Sequence, residues 1–230
     1  MKAIVLLSGG IDSTVVLALA KEQGLECHAI SFDYGQRHRV ELKSAAAIAA
    51  FYQISHRTIL VDPSCFSGPA LNSSLTSKTE VPQNRTEKEM SSGSIPNTYV
   101  PARNTLFMAY AAGQAEVYNA QEIHFGPNVM DYHAYPDCRP EYFRAYQALI
   151  NLATKQAVEG SAPRIVTPLI QWDKTEIIKK GLELKAPMHL TWSCYNPLAI
   201  HPCERCDACL LRSSGFHGVG VRDPSLKTNS

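Results

Sequence analysis

The apolar and polar positions at the start of the chain form two kinds of stretch that alternate. Short, continuous apolar runs are typical of strands buried on both faces. Longer stretches with apolar residues at helical spacing are typical of helices, and the first of them ends before Gly24. The pattern predicts strands at 3–7, 27–32 and 55–61 and helices at 12–23 and 40–52, with Ser13 and Thr14 as capping candidates of the first helix. This β-α-β-α-β order predicts a doubly wound α/β fold with a parallel sheet.

The regular pattern stops between residues 62 and 98, where Ser, Asn, Thr, Pro and Gly dominate. A loop of that length is uncommon unless it serves as a lid or a binding loop. Beyond it the pattern predicts helices at 105–118, 139–159 and 174–181 and strands at 122–125 and 164–168, followed by a stretch with little regular pattern. We therefore expect a mainly parallel five-stranded sheet with helices on both faces, formed by residues 1–185 with the flexible loop 62–98. Residues 186–230 form a small C-terminal segment packed on it.

Charge and composition narrow the class of ligand. Lys and Arg number 22 against 21 Asp and Glu, which gives a formal net charge of +1. Because a protein that grips long nucleic acid usually has a strongly basic face, we expect small-molecule ligands and no stable nucleic-acid partner, although a local basic patch for folded tRNA is compatible with this balance. No apolar run is long enough for a signal peptide or a membrane span. We expect a cytoplasmic protein whose seven cysteines are thiols or metal ligands rather than disulfides.

The stretch SGGIDST lies directly between the first predicted strand and the first predicted helix. Two glycines allow the backbone to approach a ligand closely, and the free N–H groups of a helix start attract anions. The spacing GxxxxGK[ST] of a P-loop is absent, and no lysine follows where it would reach a phosphate. Asp12 either accepts backbone N–H bonds within the loop or binds Mg²⁺ that accompanies a phosphate. A tight βα turn with a good N-cap is the alternative interpretation.

Four of the seven cysteines lie near the end of the chain in the order C-x8-C-x2-C-x2-C. Gaps of two residues let successive thiolates converge on one ion, and four thiolates complete a closed tetrahedral zinc site of the structural kind. We predict one Zn²⁺ per chain, held by Cys194, Cys203, Cys206 and Cys209. An iron–sulfur cluster, a redox pair and four ordinary thiols are the alternatives. His201 and His217 lie nearby but are not required, because four sulfurs suffice.

Three further polar stretches follow predicted strands or open predicted helices. In FDYGQRHRVE, Asp33 lies at the carboxyl end of the second strand, where open α/β sheets bind their ligands. The adjacent Tyr34, Arg37 and His38 could meet substrate or nucleotide; a polar loop that caps the next helix is the alternative. In YVPARNT, Arg103 lies at a helix start, where a cation opposes the helix dipole and therefore indicates a bound anion; a surface arginine is the alternative.

The third stretch, GPNVMDYHAYPDCRPEYF, follows the fourth predicted strand. Its carboxylates, Asp131 and Asp137, can accept two N–H bonds from the amidine edge of a guanine-like base. Arg139 can pair with a carboxylate of a ligand. Cys138 has the chemistry of a nucleophile, but we favour a structural role for it.

The string SGGIDS resembles the SGGxDS signature of the N-type ATP pyrophosphatases, the PP-loop superfamily. The resemblance implies an adenine nucleotide α-hydrolase-like fold and a loop that holds the pyrophosphate part of ATP. Enzymes of this superfamily adenylate a substrate oxygen, and a nitrogen or sulfur nucleophile then displaces AMP. No lysine at the γ-phosphate is needed if the bond that breaks lies between the α- and β-phosphates.

Further strings make the resemblance more specific: FDYGQRH, YVPARN, YPDCRPEYF and TWSCY…CERCDACLLR. Together with SGGIDST they make the chain similar to the 7-cyano-7-deazaguanine synthase family of queuosine biosynthesis. The similarity extends from residue 4 to about residue 217. The resemblance implies an ATP-dependent carbon–nitrogen ligase that converts 7-carboxy-7-deazaguanine and ammonia to the nitrile through adenylated intermediates, with Mg²⁺ entering with ATP. The implied ATP-binding residues are Ser8, Gly9, Gly10, Ile11, Asp12, Ser13 and Thr14. The substrate or catalytic candidates are Asp33, Arg103, Asp131, Asp137 and Arg139. Glu204 departs from the pattern, since glycine is expected after the first Cys of this CxxC. A homodimer is compatible with the sequence.

Two rival functions follow from the same features. Another PP-loop enzyme, which thiolates tRNA or forms an amide, would share the ATP loop; a tRNA-modifying enzyme would turn over ATP only with tRNA. A zinc-bearing regulator that binds nucleotide without turnover is the alternative from a different class. The near-neutral charge and the substrate-like stretches argue against the regulator.

Overall fold

The computed structural model describes residues 1–68, 70–91, 93–199 and 201–226. Its strands are β1 (Lys2–Leu6), β2 (Glu26–Asp33), β3 (Ser55–Leu60), β4 (Glu122–His124) and β5 (Arg164–Val166). The longer helices are α1 (Ile11–Glu22), α2 (Val40–Phe51), α4 (Arg103–Tyr118), α6 (Pro140–Ala153), α8 (Lys174–Glu183) and α9 (Asp207–Val219). Shorter helices are α3 (Glu87–Met90), α5 (Val129–Ala134) and α7 (Lys155–Val158), with 3-10 turns at Pro63–Phe66, Pro136–Cys138 and Met188–Leu190.

The five strands form one sheet in the order β3-β2-β1-β4-β5, and every pairing between them is parallel. The chain moves outward from β1 through β2 to β3 and then returns to the other side of β1 at β4. The strand order therefore reverses between β1 and β4, and in open α/β sheets the ligand crevice lies outside the carboxyl ends of the strands at this point. The predicted five-stranded parallel sheet is confirmed.

Helices cover both faces of the sheet, as predicted. On one face α1, α2, α8 and α9 bury the alternate residues of β1 and β2, including Ala3, Val5 and Ala29. On the other face α4 and α6 pack on the opposite residues, Ile4 and Ile30 among them. Both faces of the central strands are thus apolar, which explains why β1 reads as a continuous apolar run rather than an alternating one.

The helix predicted at 139–159 is two helices in the structure. Thr154 has extended backbone, and its hydroxyl donates to the carbonyl of Ile150 (3.1 Å) and accepts from the N–H of Ala157 (3.2 Å). This side chain ends α6 and caps α7, so the prediction of one helix was wrong. Pro140 fixes the start of α6, because a proline is favoured at the first helical position.

The stretch after residue 190, for which little regular structure was predicted, contains α9 with 13 residues. Its buried residues include Cys209, Arg212, Gly215 and Phe216. Only one of these is a large apolar residue, so the helix has no apolar period for sequence reasoning to detect. Glycine is required at Gly215 because a Cβ there would overlap the side chain of Lys174 on α8. The division at residue 185 stays a prediction.

The stretch 62–98 is also less irregular than predicted, since it contains the turn Pro63–Phe66 and helix α3. Helix α3 begins with a capping box, in which Thr86 and Glu89 exchange side-chain and backbone bonds. None of the helices in the described ranges is long and apolar enough to cross a membrane.

Candidate active site at the carboxyl edge of the sheet

The loop SGGIDST connects β1 to α1 and has the backbone that close ligand approach requires. Gly9 has φ +90°, and a Cβ at this position would overlap the carbonyl oxygen of Glu41 at the start of α2. Glycine is therefore required at residue 9 on both steric and conformational grounds. Gly10 is the N-cap of α1 and makes no side-chain cap bond. The first-turn N–H groups of α1 have no partners within the helix and are available to an anion.

The hydroxyl groups of Ser13 and Thr14 were predicted to cap α1, but they form other hydrogen bonds within the loop. Ser13 and Thr14 do not cap α1; their hydroxyls donate to the carbonyl of Gly10 at 3.2 Å and 2.7 Å. The Ser13 Oγ also accepts from the N–H of Ser8 (3.2 Å), and the Ser8 Oγ accepts from the N–H of Gly10 (3.2 Å). These bonds hold the loop in one conformation before any ligand binds.

Asp12 has a partner that the sequence did not suggest. The ammonium group of Lys174, at the start of α8, donates to both oxygens of Asp12 at 2.6 Å and 2.7 Å. The side-chain amide of Asn128 donates to the same carboxylate (3.1 Å). The sequence motif lacks a P-loop lysine, but α8 places Lys174 beside the loop from a distant part of the chain. An ammonium group next to free helix N–H groups favours a phosphate ligand.

A cavity of about 210 Å³ opens beside this loop. Six of the candidates from the sequence line it: Ser8, Asp12, Ser13, Arg103, Asp131 and Asp137. The cavity lies outside the carboxyl ends of β1, β2 and β4, at the point where the strand order reverses. The structure therefore brings together, in one crevice, residues that are far apart along the chain.

Arg103 is the principal cation of the cavity wall. It donates to the hydroxyl of Tyr34 (3.3 Å) and to the side chain of Asn104 (3.3 Å), and its guanidinium lies 5.8 Å from the ring centres of Tyr34 and Phe107. The preceding residue, Ala102, has φ +50°, a conformation that costs energy for a residue with a Cβ. No carboxylate within the described ranges forms an ion pair with Arg103, so this group is free to bind an anionic ligand.

Asp131 is the third residue of α5 and lies next to Asp12. The N–H of Asn128 donates to one of its oxygens (3.1 Å). Burial, followed by repulsion from the Asp12 carboxylate, raises the pKa of Asp131 to about 6. A carboxyl group with such a pKa can exchange a proton near neutral pH.

Asp137 and Cys138 hold the start of α4 in place. Asp137 accepts from the N–H of Asn104 (3.1 Å), and the side-chain amide of Asn104 donates to the sulfur of Cys138 (3.2 Å). Burial, together with the Asp131 carboxylate, raises the pKa of the Cys138 thiol well above its ordinary value. A thiol with a raised pKa is a poor nucleophile, which fits the structural role favoured from the sequence.

Six candidates do not line the cavity. Four of them, Gly9, Gly10, Ile11 and Thr14, belong to the loop and the first turn of α1, and the other two are substrate or catalytic candidates. Asp33 is buried at the end of β2, where it pairs with Arg39 and accepts from the N–H of Gly35. Arg139 precedes α6 and does not line the cavity. Their roles in ligand binding stay predictions.

Sequence reasoning missed several residues of the cavity wall. Glu41 and Tyr195 line it without having been singled out, whereas His38, which was named as a residue that could meet substrate or nucleotide, does line it, with its ring 5.5 Å from that of Tyr195. The signal for Glu41 was available, because it is the last residue of the polar stretch FDYGQRHRVE. Lys174 gave no local signal, because a single lysine at a helix start is common.

The four cysteines of the C-terminal segment fit a zinc ion. They are all buried, and their sulfur atoms lie within 4.8 Å of one another. Tetrahedral coordination with Zn–S bonds of about 2.3 Å requires sulfur atoms roughly 3.8 Å apart, so a small contraction would complete the site. The N–H groups of Cys203 and Cys206 donate to sulfurs of the cluster at 3.2 Å and 3.3 Å, as expected for thiolate ligands. Glu204 has φ +59°, which explains why glycine is expected at this position.

The stretch 79–90 packs on the cysteine segment. Val81 packs among the four cysteines, and Gln83 forms an isolated antiparallel bridge with Cys206. The N–H of Asn84 donates to the carbonyl of Arg205 (2.8 Å), and Arg85 forms a two-point ion pair with Asp207. The same loop continues to Thr98, Tyr99 and Val100 in the cavity wall. The cysteine cluster is thus connected to the cavity through this loop.

A parallel sheet with a glycine-containing βα loop and a cavity with charged side chains at its carboxyl edge is the arrangement of α/β proteins that bind small ligands. Comparison with known sequences makes this more specific. The chain belongs to the family described as Queuosine biosynthesis protein QueC, whose family model matches residues 2–220. The membership predicted from the motifs is confirmed.

Curated relatives agree with the family assignment. The chain is 49% identical to the 7-cyano-7-deazaguanine synthase of Nostoc punctiforme (strain ATCC 29133 / PCC 73102) over 227 residues, which cover 97% of this chain and 98% of the relative. It is also 49% identical to the 7-cyano-7-deazaguanine synthase of Hydrogenovibrio crunogenus over 230 residues, which cover 98% and 95%. A solved NMN synthetase from Francisella tularensis matches with 19% identity and a TM-score of 0.48 over 100% of this chain and 89% of that one. That similarity is too low to support an argument about function.

Proposed function

We propose that this protein is an ATP-dependent ligase that converts 7-carboxy-7-deazaguanine and ammonia to 7-cyano-7-deazaguanine in queuosine biosynthesis. The observation that carries the proposal is the loop from Ser8 to Thr14, which opens on the same cavity as Arg103. One end of the cavity suits the phosphates of a nucleotide, and the guanidinium nearby suits the carboxylate of the base. Family membership over nearly the whole chain supports the same conclusion.

The reaction needs two activations of one carbon atom. A carboxylate oxygen attacks the α-phosphorus of ATP, the bond between the α- and β-phosphates breaks, and pyrophosphate leaves. Ammonia then displaces AMP, loses a proton and gives the amide. The amide oxygen attacks a second ATP in the same way, and loss of AMP with the remaining N–H protons gives the nitrile. Holding the oxygen and the α-phosphorus together supplies proximity, and positioned donors stabilise the departing pyrophosphate.

The assignment of residues follows from their positions. Residues Ser8, Gly9, Gly10, Ile11, Asp12, Ser13 and Thr14 bind the ATP phosphates, and Lys174 assists them from α8 while it holds Asp12. Arg103, Asp131 and Asp137 face the substrate or the leaving group from the cavity wall. Mg²⁺ enters with ATP.

We assign the metal of the cysteine cluster as a structural Zn²⁺, one per chain. Four buried thiols that can converge on one ion leave no open position for water or substrate. When bound, the ion holds the C-terminal segment and the stretch 79–90 together. It takes no part in the reaction steps.

We further propose a cytoplasmic homodimer that acts on small molecules rather than on nucleic acid. The outer faces of α4 and α6 carry exposed apolar residues on the same side of the sheet: Leu106, Tyr110, Val117, Leu149 and Leu152. Among them Leu152 is 81% exposed and Val117 is 72% exposed. Apolar patches of this kind mark interfaces between proteins, and a second copy of the chain offers a matching apolar surface.

The test is to incubate the metal-loaded protein with ATP, Mg²⁺, ammonium and 7-carboxy-7-deazaguanine and to follow bases and nucleotides by mass spectrometry. We expect the nitrile together with AMP and pyrophosphate, two of each per nitrile. Nitrile with ADP would keep the function but overturn the proposed use of the loop. An unchanged base, with ATP consumed only after tRNA is added, would favour a tRNA-modifying PP-loop enzyme instead.

A further inference from the structure

We propose that Glu41, positioned by His38, binds the amidine edge of the guanine-like base and so determines the specificity of the enzyme for that base. The inference rests on the proposed function and adds the residues that select its substrate. The sequence had suggested the carboxylates between residues 126 and 143 for this task. In the structure, Asp137 accepts a hydrogen bond from the backbone N–H of Asn104. Asp131 lies close to Asp12, at the end of the cavity proposed for the phosphates.

Both residues are fixed in the wall of the cavity. His38 lies in the turn between β2 and α2, and Glu41 lies in the first turn of α2; their side chains are 4% and 15% exposed. The contact between Gly9 and the backbone of Glu41 sets α2 directly against the phosphate-binding loop. A base held by Glu41 is therefore held at a constant distance from the bound phosphates.

The carboxylate of Glu41 lacks a full complement of donors. One oxygen accepts from the side-chain amide of Gln36 (3.0 Å), and the other lies 3.4 Å from Nε2 of His38. In the described part of the chain, no lysine or arginine forms an ion pair with Glu41. A half-satisfied carboxylate in a closed site is costly unless a ligand brings further N–H donors.

His38 positions the Glu41 carboxylate. Its Nε2 lies 3.4 Å from one oxygen of Glu41, so Nε2 carries the proton. Its Nδ1 is buried away from the cavity and has no hydrogen-bond partner among the described residues. The carboxylate oxygens therefore remain the acceptors that this part of the wall offers to a ligand that supplies donors.

A guanine-like ring meets this need, whereas an adenine ring does not. The amidine edge of guanine carries a ring N–H and an exocyclic amino group side by side, which match the two oxygens of one carboxylate. Adenine carries an amino group beside an unprotonated ring nitrogen, and that nitrogen would face a carboxylate oxygen unfavourably. Tyr195, a partly exposed residue of the same wall, provides an aromatic ring for contact with a planar base. Glu41 therefore selects the base substrate rather than ATP.

The test compares Glu41→Gln with the unchanged protein on two bases, measured first as equilibrium binding by titration calorimetry without ATP. One base is 7-carboxy-7-deazaguanine; the other is the same molecule with hydrogen in place of the 2-amino group. We expect the unchanged protein to bind the amino base at least about 100-fold more tightly, because a site built for hydrogen bonds rejects a ligand that lacks them. In Glu41→Gln we expect this preference to fall below about 5-fold, with the affinity for ATP unchanged.

Two further variants serve as controls. Glu183→Gln removes an exposed carboxylate on α8 and should keep the full preference. Glu41→Asp keeps the charge and should retain part of the preference, so that it answers the question if Glu41→Gln does not fold. Equal loss of affinity for both bases, or weaker binding of ATP alone, would overturn the proposal. Because binding is measured without turnover, a protein that selects the amino base through Glu41 but forms no nitrile would overturn the proposed reaction and leave this assignment standing.

Discussion

At the scale of single residues, Asp131 shows how the cavity changes ordinary side-chain chemistry. It occupies the third position of a capping box, a common and usually exposed arrangement. Here the same position is partly buried in the cavity wall and close to the Asp12 carboxylate, so desolvation and then charge repulsion disfavour the charged form of Asp131 and raise its pKa to about 6. The charge at this position therefore weakens the folded protein near neutral pH.

The substitution Asp131→Asn tests this effect. Because the folded pKa lies above the ordinary value of 3.8, the stability that Asp131 contributes is fully present below pH 3.8 and is lost as pH rises through about 6. We expect the variant to raise the Tm of the ligand-free protein by about 2–4 °C at pH 7.5 and by less at pH 4.5, measured by calorimetry.

The control for Asp131→Asn is Glu176→Gln, which changes the same capping-box position in α8 at an exposed site. It should not raise the Tm at pH 7.5. An equal gain for Asp131→Asn at both pH values would contradict the assigned cause.

At the scale of elements, the loop between β3 and α4 is attached to the cysteine segment rather than free. Arg85 reaches Asp207 at the start of α9, and Ser214 of α9 donates to Glu87 of α3 (3.2 Å). Further along the loop, Asn97 accepts from the N–H of Ser74 (2.8 Å), and Thr98 donates to or accepts from the hydroxyl of Tyr135 (2.8 Å) in the cavity wall. A change at the cysteine segment can therefore alter the cavity.

The substitution Arg85→Gln should loosen this attachment. We expect amide hydrogen exchange in the stretch 79–98 to become about 10-fold faster, because a two-point ion pair of this kind contributes on the order of 1.4 kcal/mol. The KM for the base should rise, while the zinc content stays at one per chain.

Lys88→Gln is the matched control for Arg85→Gln, since Lys88 is an exposed cation two residues beyond Thr86 in the same stretch. Hydrogen exchange should be unchanged in this variant. Loss of zinc from Arg85→Gln would show instead that the ion pair supports the metal site itself.

At the scale of the whole molecule, the apolar outer face of α4 and α6 is the feature that the monomer leaves unexplained. Its residues follow helical spacing on the side opposite the sheet, with Leu106, Tyr110 and Val117 on α4 and Leu149 and Leu152 on α6. Exposed leucines add nothing to the core, so their arrangement on one face indicates a contact with another molecule.

The dimer can be tested with the double substitution Leu149→Glu and Leu152→Glu. We expect the unchanged protein to sediment as a dimer and the double variant as a monomer at micromolar concentration, because like charges on two symmetric surfaces repel one another. Far-ultraviolet circular dichroism should be the same for both proteins.

Leu60→Glu provides the control for the dimer, because Leu60 is an equally exposed leucine (77%) on β3 at the edge of the sheet. It should leave the mass unchanged. A monomer in the unchanged protein would exclude the proposed dimer.

The sequence by itself determined the parts of this protein whose residues are close along the chain. The strand, loop and helix from Lys2 to Glu22 were predicted to within a residue or two, and the spacing of the four cysteines predicted the cluster that the structure contains. Local sequence suffices in these cases, because glycine conformation, helix dipoles and short ligand spacings depend on neighbouring residues. The parallel sheet followed from the order of the elements alone.

Only the tertiary structure decided which distant groups meet. It placed Lys174 on Asp12, 162 residues earlier, and so supplied the lysine that no local motif showed. It also buried one face of α9 that includes Cys209, Arg212 and Gly215 and has no apolar spacing. The long loop is attached to this helix through the ion pair between Arg85 and Asp207. The physical reason is the same in each case: these contacts depend on the packing of elements far apart in sequence, and no local pattern of apolar and polar residues encodes which side chain will complete another's hydrogen bonds.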